Sequence, residues 1–185
     1  MRRDPEGRRR TIVRAAMRVI AEVGRGQVTH RLIAARAEVP LGSTTYYFPT
    51  LDDLVVTAMR EATEDARAQL EAWAEELMRS DDQVTTLVDL IAGYLADREQ
   101  ALLEYELYLA AARAPDLRPS AALWLDGLRG ICSRLAGGYE RGVALAALVD
   151  GALLQALVTG DPLDTEGLRA GVAGLVSPRT TAGST

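Results

Sequence analysis

The chain has no lysine, one histidine, one cysteine and one phenylalanine among its 185 residues, and the scarcity of cysteine and histidine removes whole classes of function. Cys132 has no second cysteine to pair with, so no intramolecular disulfide framework exists and a reducing cytoplasm is the expected setting. A structural zinc site needs four Cys or His ligands, and Cys132 with His30 supplies two. No metal and no cofactor are therefore expected. A triad or a histidine–metal catalyst would have to use His30, and Ser133 lacks the G-x-S-x-G surroundings of an activated serine, so no catalytic residue is assigned. Cys132 lies on an apolar helix face and reads as small core filler. Met1 to Arg10 is charged and has no apolar signal core. The most apolar stretch, Val143 to Val158, is interrupted by Asp150 and Gln155 and reads as too short and too polar to cross a bilayer, so no membrane partner is expected.

What is present is strongly segregated charge. Residues 1–50 hold ten arginines against Asp4, Glu6, Glu22 and Glu38, a net +6, whereas the rest of the chain holds eleven arginines against twenty-two acids, a net −11. A basic head suits a polyanion, and an acidic body restricts where that polyanion can lie. The acids of the body, Glu61, Glu64, Asp65, Glu71, Glu75 and Glu76 among them, read as a solvated face.

Nearly everything between the ends reads as helix, and no run reads as strand. Ile12, Ala15, Ala16, Val19, Ile20 and Val23 follow helical spacing up to Gly24. Thr29 caps a short helix to about Ala37, and Pro40 suits the first turn of another that ends near Phe48, ahead of Pro49. Thr50 with Asp53 resembles a capping box opening a long helix to about residue 79, and Ser80 with Gln83 resembles a second. Further helices run to about Leu95, to about Arg113, from Pro119 to Ala136, from Tyr139 to Thr159 and from Asp164 to Val176. The expected organisation is a head over 1–49 with a basic N-terminal arm, a helical body over 50–176, and a small polar tail over 177–185.

Two short helices joined by a tight turn, Thr29 to Ala37 and Pro40 to Phe48, have the helix-turn-helix geometry whose second helix enters the major groove. Ser43, Thr44, Thr45, Tyr46 and Tyr47 offer hydroxyls, and Arg31 can fork onto a guanine edge or a phosphate. In the body, Glu106 shares a helical face with Leu102, Leu103, Leu109 and Ala110, where a carboxylate needs a partner. With Tyr94, Tyr108 and Trp124 on neighbouring helices it outlines an effector pocket, or else these aromatics form a core with hydroxyls reaching the surface. The helix from Tyr139 to Thr159 is apolar on more faces than one chain covers, so a twin helix of a second copy is expected against it. Leu145, Leu148, Val149, Ala152, Leu153, Ala156 and Leu157 are assigned to that homodimer interface.

Residues 8–59, with VTHRLIAARAEVPLGSTTYYFPTLDDLV at their centre, resemble the N-terminal module of TetR-family regulators through Val39, Gly42, Tyr46, Tyr47 and the Phe48–Pro49 step. The resemblance implies an all-α protein: a three-helix DNA-binding module on a larger helical body whose last two long helices dimerise. It implies phosphate contacts from Thr29, Tyr46 and Tyr47, and base or groove contacts from Arg31, Leu41, Gly42, Ser43 and Thr45. Leu41 stands where many relatives carry Lys or another polar group, Thr45 where they carry an aromatic, and Glu38 where a turn glycine is common, which predicts a less strained backbone at residue 38. The function implied is a transcriptional repressor on double-stranded operator DNA, released by an apolar small-molecule effector. The rivals are a small helical enzyme and a regulator whose body binds a protein.

Overall fold

The structure, a computed structural model, describes residues 5–113 and 115–176. The described residues form nine α-helices and no strand. In order these are α1 (Pro5–Val23), α2 (His30–Arg36), α3 (Leu41–Tyr47), α4 (Leu51–Arg79), α5 (Gln83–Ala96), α6 (Arg98–Ala110), α7 (Arg118–Ala136), α8 (Tyr139–Thr159) and α9 (Thr165–Leu175), with short 3₁₀ turns at Arg25–Gln27 and Pro115–Leu117. Helix α1 begins at Pro5, so residues 5–7 are helical where the sequence suggested an arm; Pro at a first turn loses no hydrogen bond. Residues 1–4 and the expected tail at 177–185 lie outside the described residues.

Two compact units result, and they do not divide at residue 50. The first takes the chain up to Arg67 together with Glu99–Leu123; the second takes Ala68–Arg98 and the chain from Trp124 onward. Helix α6 joins the first unit because Leu103 and Ala110, with Ala111 and Leu117, are buried in one core with Ile12, Ala16 and Ile20 of α1. That pairing joins residues some ninety positions apart, beyond the reach of local periodicity.

In the first unit, Ile12, Val13, Ala16, Val19 and Ile20 of α1 form a buried stripe that meets Val28, Ile33, Phe48, Leu54 and Ala58. Glu61 is not a free surface acid: it is half-buried and accepts from Arg9 at 3.1 Å. Near it, burial first and then the charges of Glu61 and Glu64 push the Asp65 carboxyl above its ordinary range.

In the second unit, Asp82 and not Ser80 caps α5. Its carboxylate accepts from the Thr85 amide at 3.0 Å and from the Thr85 hydroxyl at 2.6 Å, which holds its pKa below the usual carboxylate range. Ser80 instead accepts from the Asp82 amide and pairs with the Thr86 hydroxyl. At the far end of α8, Gly160 takes the left-handed conformation (φ 81°), and Arg98 donates to the Ala156 and Leu157 carbonyls at 3.0 and 2.6 Å. Those carbonyls carry the negative end of the helix dipole, so a guanidinium is favoured there.

Helix α8 has 21 residues and is long and apolar enough by composition to cross a membrane, contrary to the length read from the sequence. The helix adds Tyr139, Glu140, Arg141 and Gly142 ahead of the apolar run and Thr159 after it. Leu145, Val149 and Leu153 are nevertheless 0% exposed within the unit, and Ala156 and Leu157 are also buried. Five of the seven residues assigned to a dimer interface therefore belong to the chain's own core, with Leu148 and Ala152 half-buried. The exposed apolar residues of α8 lie on the other stripe: Leu154 is 40% exposed and Val158 76%.

Helices α7 and α8 meet closely about the Gly137–Gly138 turn. A Cβ added at Gly142 would run into the Ser133 Cα and amide nitrogen, a clash with backbone that no rotamer relieves. Gly142→Ala is expected to destabilise the protein by roughly 1 to 3 kcal/mol, lowering Tm by several degrees in a thermal melt. An unchanged Tm would mean that the two helices are less closely apposed than described.

Candidate nucleic-acid interface

The reading head is positioned from beneath. Thr44 of α3 is completely buried and donates its hydroxyl to the Leu41 carbonyl at 2.8 Å, so it is spent on the fold and does not face outward with its neighbours. Phe48 is buried just beyond the helix, and the Arg9 guanidinium sits over its ring at 5.3 Å. With Thr44 and Phe48 held inward, helical geometry turns Leu41, Gly42, Thr45 and Tyr46 to solvent. Tyr46 is 80% exposed and meets Tyr47 edge-on at 5.1 Å, while Tyr47 is half-buried against the head's core. Ser43 is half-buried.

Helix α2 carries the second group. The Thr29 side chain accepts from the Leu32 amide at 3.1 Å, the cap expected, and its hydroxyl proton remains available to a phosphate. Arg31 is exposed, and among the described residues no carboxylate pairs with it. Other arginines of the head are engaged: Arg25 with Asp52 at 2.9 Å, Arg36 with Glu22, and Arg9 with Glu61. His30 is half-buried, with both ring nitrogens enclosed and without a hydrogen-bond partner.

The turn between α2 and α3 corrects the expectation of an unstrained backbone. Glu38 has φ 53°, the left-handed region, and is the non-glycine residue with positive φ among those described. The Glu38 amide bonds the Ala35 carbonyl at 3.3 Å and the Val39 amide bonds Ala34 at 3.0 Å. These are the two bonds of a Schellman ending, which dictates the left-handed residue whatever side chain occupies it.

The four residues outlined as an effector pocket do not fall in one unit. Tyr94 and Trp124 belong to the second, where their rings stack at 5.7 Å and 26°, and both meet Trp73 of α4 edge-on at 6.0 Å. Trp73 stands at ordinary apolar spacing on α4, and that spacing carries no signal of the trio. Tyr108 and Glu106 belong to the first unit, where Tyr108 meets Tyr105 edge-on at 6.1 Å. Leu102 and Leu109 are exposed whereas Leu103 and Ala110 are buried, so the half-buried Glu106 stands at the edge of the buried face of α6.

Comparison with known proteins completes the assignment. Residues 12–58 match the bacterial regulatory proteins of the tetR family, and residues 78–178 match the Tetracyclin repressor-like C-terminal domain. The chain belongs to the TetR family. It is 27% identical to the HTH-type transcriptional regulator BetI of Escherichia coli over 85% of this chain and 86% of that protein. Among solved structures it is 41% identical to a TetR-family member of Streptomyces coelicolor A3, with TM-score 0.71, covering 92% of this chain and 99% of that one. It is also 41% identical to the multidrug binding protein EbrR in complex with malachite green, with TM-score 0.70 and coverage of 92% and 98%. As a TetR-family protein the chain is a DNA-binding transcriptional repressor with a ligand-binding C-terminal body, and its family binds operator DNA, dimerises and binds small molecules.

Cys132, fully buried on α7, has its thiol pushed up to about 12 by burial first and by the charge of Asp150 second. The reactive thiolate is then a negligible fraction at neutral pH. Iodoacetamide at pH 8 is expected to leave native protein unlabelled and to label it fully in denaturant. Labelling of the native protein at the rate of a free thiol would overturn that placement.

Proposed function

We propose that this repressor binds a two-half-site operator as a homodimer, reading bases with α3 and Arg31 and gripping phosphates with Thr29, Tyr46 and Tyr47. The carrying observation is the division of α3: Thr44 is spent on the fold, while Leu41, Gly42, Thr45 and Tyr46 face out. Gly42 sharpens the reading. A Cβ there would meet nothing within 4 Å, so the free protein has no use for the missing side chain, and helix propensity argues against glycine at that position. Close approach of backbone to the groove explains it. Gly42→Ala is therefore expected to raise Tm slightly and yet weaken binding to duplexes selected by the wild-type protein from a random pool. Arg31→Ala is expected to relax base preference, at a cost of roughly 1 to 3 kcal/mol on the selected duplex. Equal losses on selected and random DNA would remove Arg31 from base reading.

Dimerisation uses the outward stripe of α8, with Leu154 and Val158, and the groove of about 590 Å³ between α8 and α9 that Leu148, Ala152 and Leu163 help to line. The covered face of a second copy would remove this apolar surface from water. Val158→Glu and Leu154→Glu are expected to give helical monomers of weak operator affinity in sedimentation and anisotropy. Leu153→Glu, by contrast, is expected to unfold the chain, since it places a charge in the core. A wild-type chain that sediments as a monomer at micromolar concentration would refute the assembly.

The effector is a planar aromatic molecule taken against Tyr94 and Trp124, which are half-buried and keep ring surface to offer, whereas Trp73 is wholly core. EbrR, crystallised with malachite green, proflavin and ethidium, supports that class. Release requires the effector to bind the DNA-incompetent arrangement more tightly, and α4, whose residues divide between the two units, is the lever. The protein acts in the cytoplasm, without a membrane partner and without catalysis of its own.

A further inference from the structure

Glu38 breaks a local backbone preference and, among the described residues, carries an unpaired charge beside α3. Its left-handed φ of 53° is a conformation that glycine adopts freely and a side chain with a Cβ adopts at a cost. Its carboxylate is exposed, and among the described residues no arginine pairs with it, although Arg36 and Arg25 nearby in sequence each hold a carboxylate. Two residues, Val39 and Pro40, separate it from Leu41, the first residue of α3, so the chain keeps it within about 10 Å of the helix proposed to enter the groove. That reach is comparable to the roughly 8 to 10 Å over which charge is felt through physiological salt. A neutral residue would remove the repulsion from DNA, and glycine would remove the strain as well. A residue that breaks local preference at a functional surface points to a role there.

Resting on the DNA-reading assignment above, we propose that Glu38 limits the affinity of the head for DNA: its fixed negative charge beside α3 offsets part of the arginine attraction to phosphates. The offset acts on every sequence alike, because phosphate attraction is common to operator and random DNA. Its use lies in release. Typical coupling between two ligands changes affinity about 5- to 150-fold, which empties an operator only if the repressor is not bound far beyond that range.

The test uses the full-length chain with Glu38→Gln, Glu38→Asp and Glu38→Gly, titrated by fluorescence anisotropy against a random-sequence duplex and against a duplex selected by the wild type. Glu38→Gln is expected to bind both about three- to ten-fold more tightly at low salt, with the gain shrinking as salt rises. Glu38→Asp keeps the charge and is expected to match the wild type. Glu38→Gly should show the same tightening and also a higher Tm, which keeps the test valid should Glu38→Gln fold poorly. Unchanged affinity in Glu38→Gln and Glu38→Gly, or a gain insensitive to salt, overturns the proposal. Lower stability of Glu38→Gln with no tighter binding also overturns it, and assigns the carboxylate to the dipole of α3 instead. A wild-type chain that selects no duplex at all refutes the DNA-reading assignment itself, an outcome distinct from failure of the Glu38 proposal.

Discussion

Two helices of seven residues cannot stand alone in water, because the cost of nucleating a helix is recovered only over a dozen residues or more. Helices α2 and α3 exist because α1 lays a buried stripe, Ile12, Val13, Ala16, Val19 and Ile20, against which Ile33 and Phe48 close. The orientation of every outward residue of α3 follows from that closure. Thr44 and Phe48 are its inward pins, and rotating the helix to expose either would bring Tyr46 under cover. The surface offered to DNA is thus a by-product of core packing several residues away. Arg9, over the Phe48 ring and bonded to Glu61, ties the same point to α4.

The body rests on a different economy of faces. Helix α8 is apolar on two stripes, and periodicity alone cannot say which stripe a single chain keeps for itself. The sequence reading chose Leu145, Val149, Leu153, Ala156 and Leu157 for a partner, and the structure spends them within the unit. The reason is the tight approach at Gly142 and Ser133, which sets the rotation of α8 against α7. Once Gly142 faces inward, the residues three, four, seven and eleven positions later follow it. Leu154 and Val158 are left outside. A glycine whose role is close packing looks, in sequence, like any other glycine.

Legibility followed the range of the interaction. Local signals were readable: the Thr29 cap, the Thr50–Asp53 pair and the end of α8 at Thr159 are where the residue types suggested. The cap of α5 was misplaced by two residues because Ser80 and Asp82 are both good caps, and only the hydrogen bonds to Thr85 decide between them. The handedness at Glu38 was misread because residue type was taken as the cause, when the Schellman bonds of α2 impose the conformation. Long-range facts were out of reach: the membership of α6 in the head's unit, and the meeting of Trp73 with Tyr94 and Trp124, are set by tertiary packing that no window of sequence contains.

Composition also overstates the electrostatic pull of the head. A net +6 over the first fifty residues suggests a strong attraction to phosphates, yet Arg9, Arg25 and Arg36 are each engaged by a carboxylate. An arginine already in an ion pair must exchange a partner to meet a phosphate, so it contributes less than its formal charge. Among the arginines of the head that are exposed and without an ion pair in the described residues are Arg8, Arg10 and Arg31, and Glu38 stands against them. Since the electrostatic term supplies nearly all non-specific affinity, a head whose Arg9, Arg25 and Arg36 are already paired spends less time on arbitrary DNA than its formal charge suggests. On the reading proposed above, discrimination then falls to the outward residues of α3, Leu41, Gly42, Thr45 and Tyr46, whose orientation Thr44 and Phe48 set.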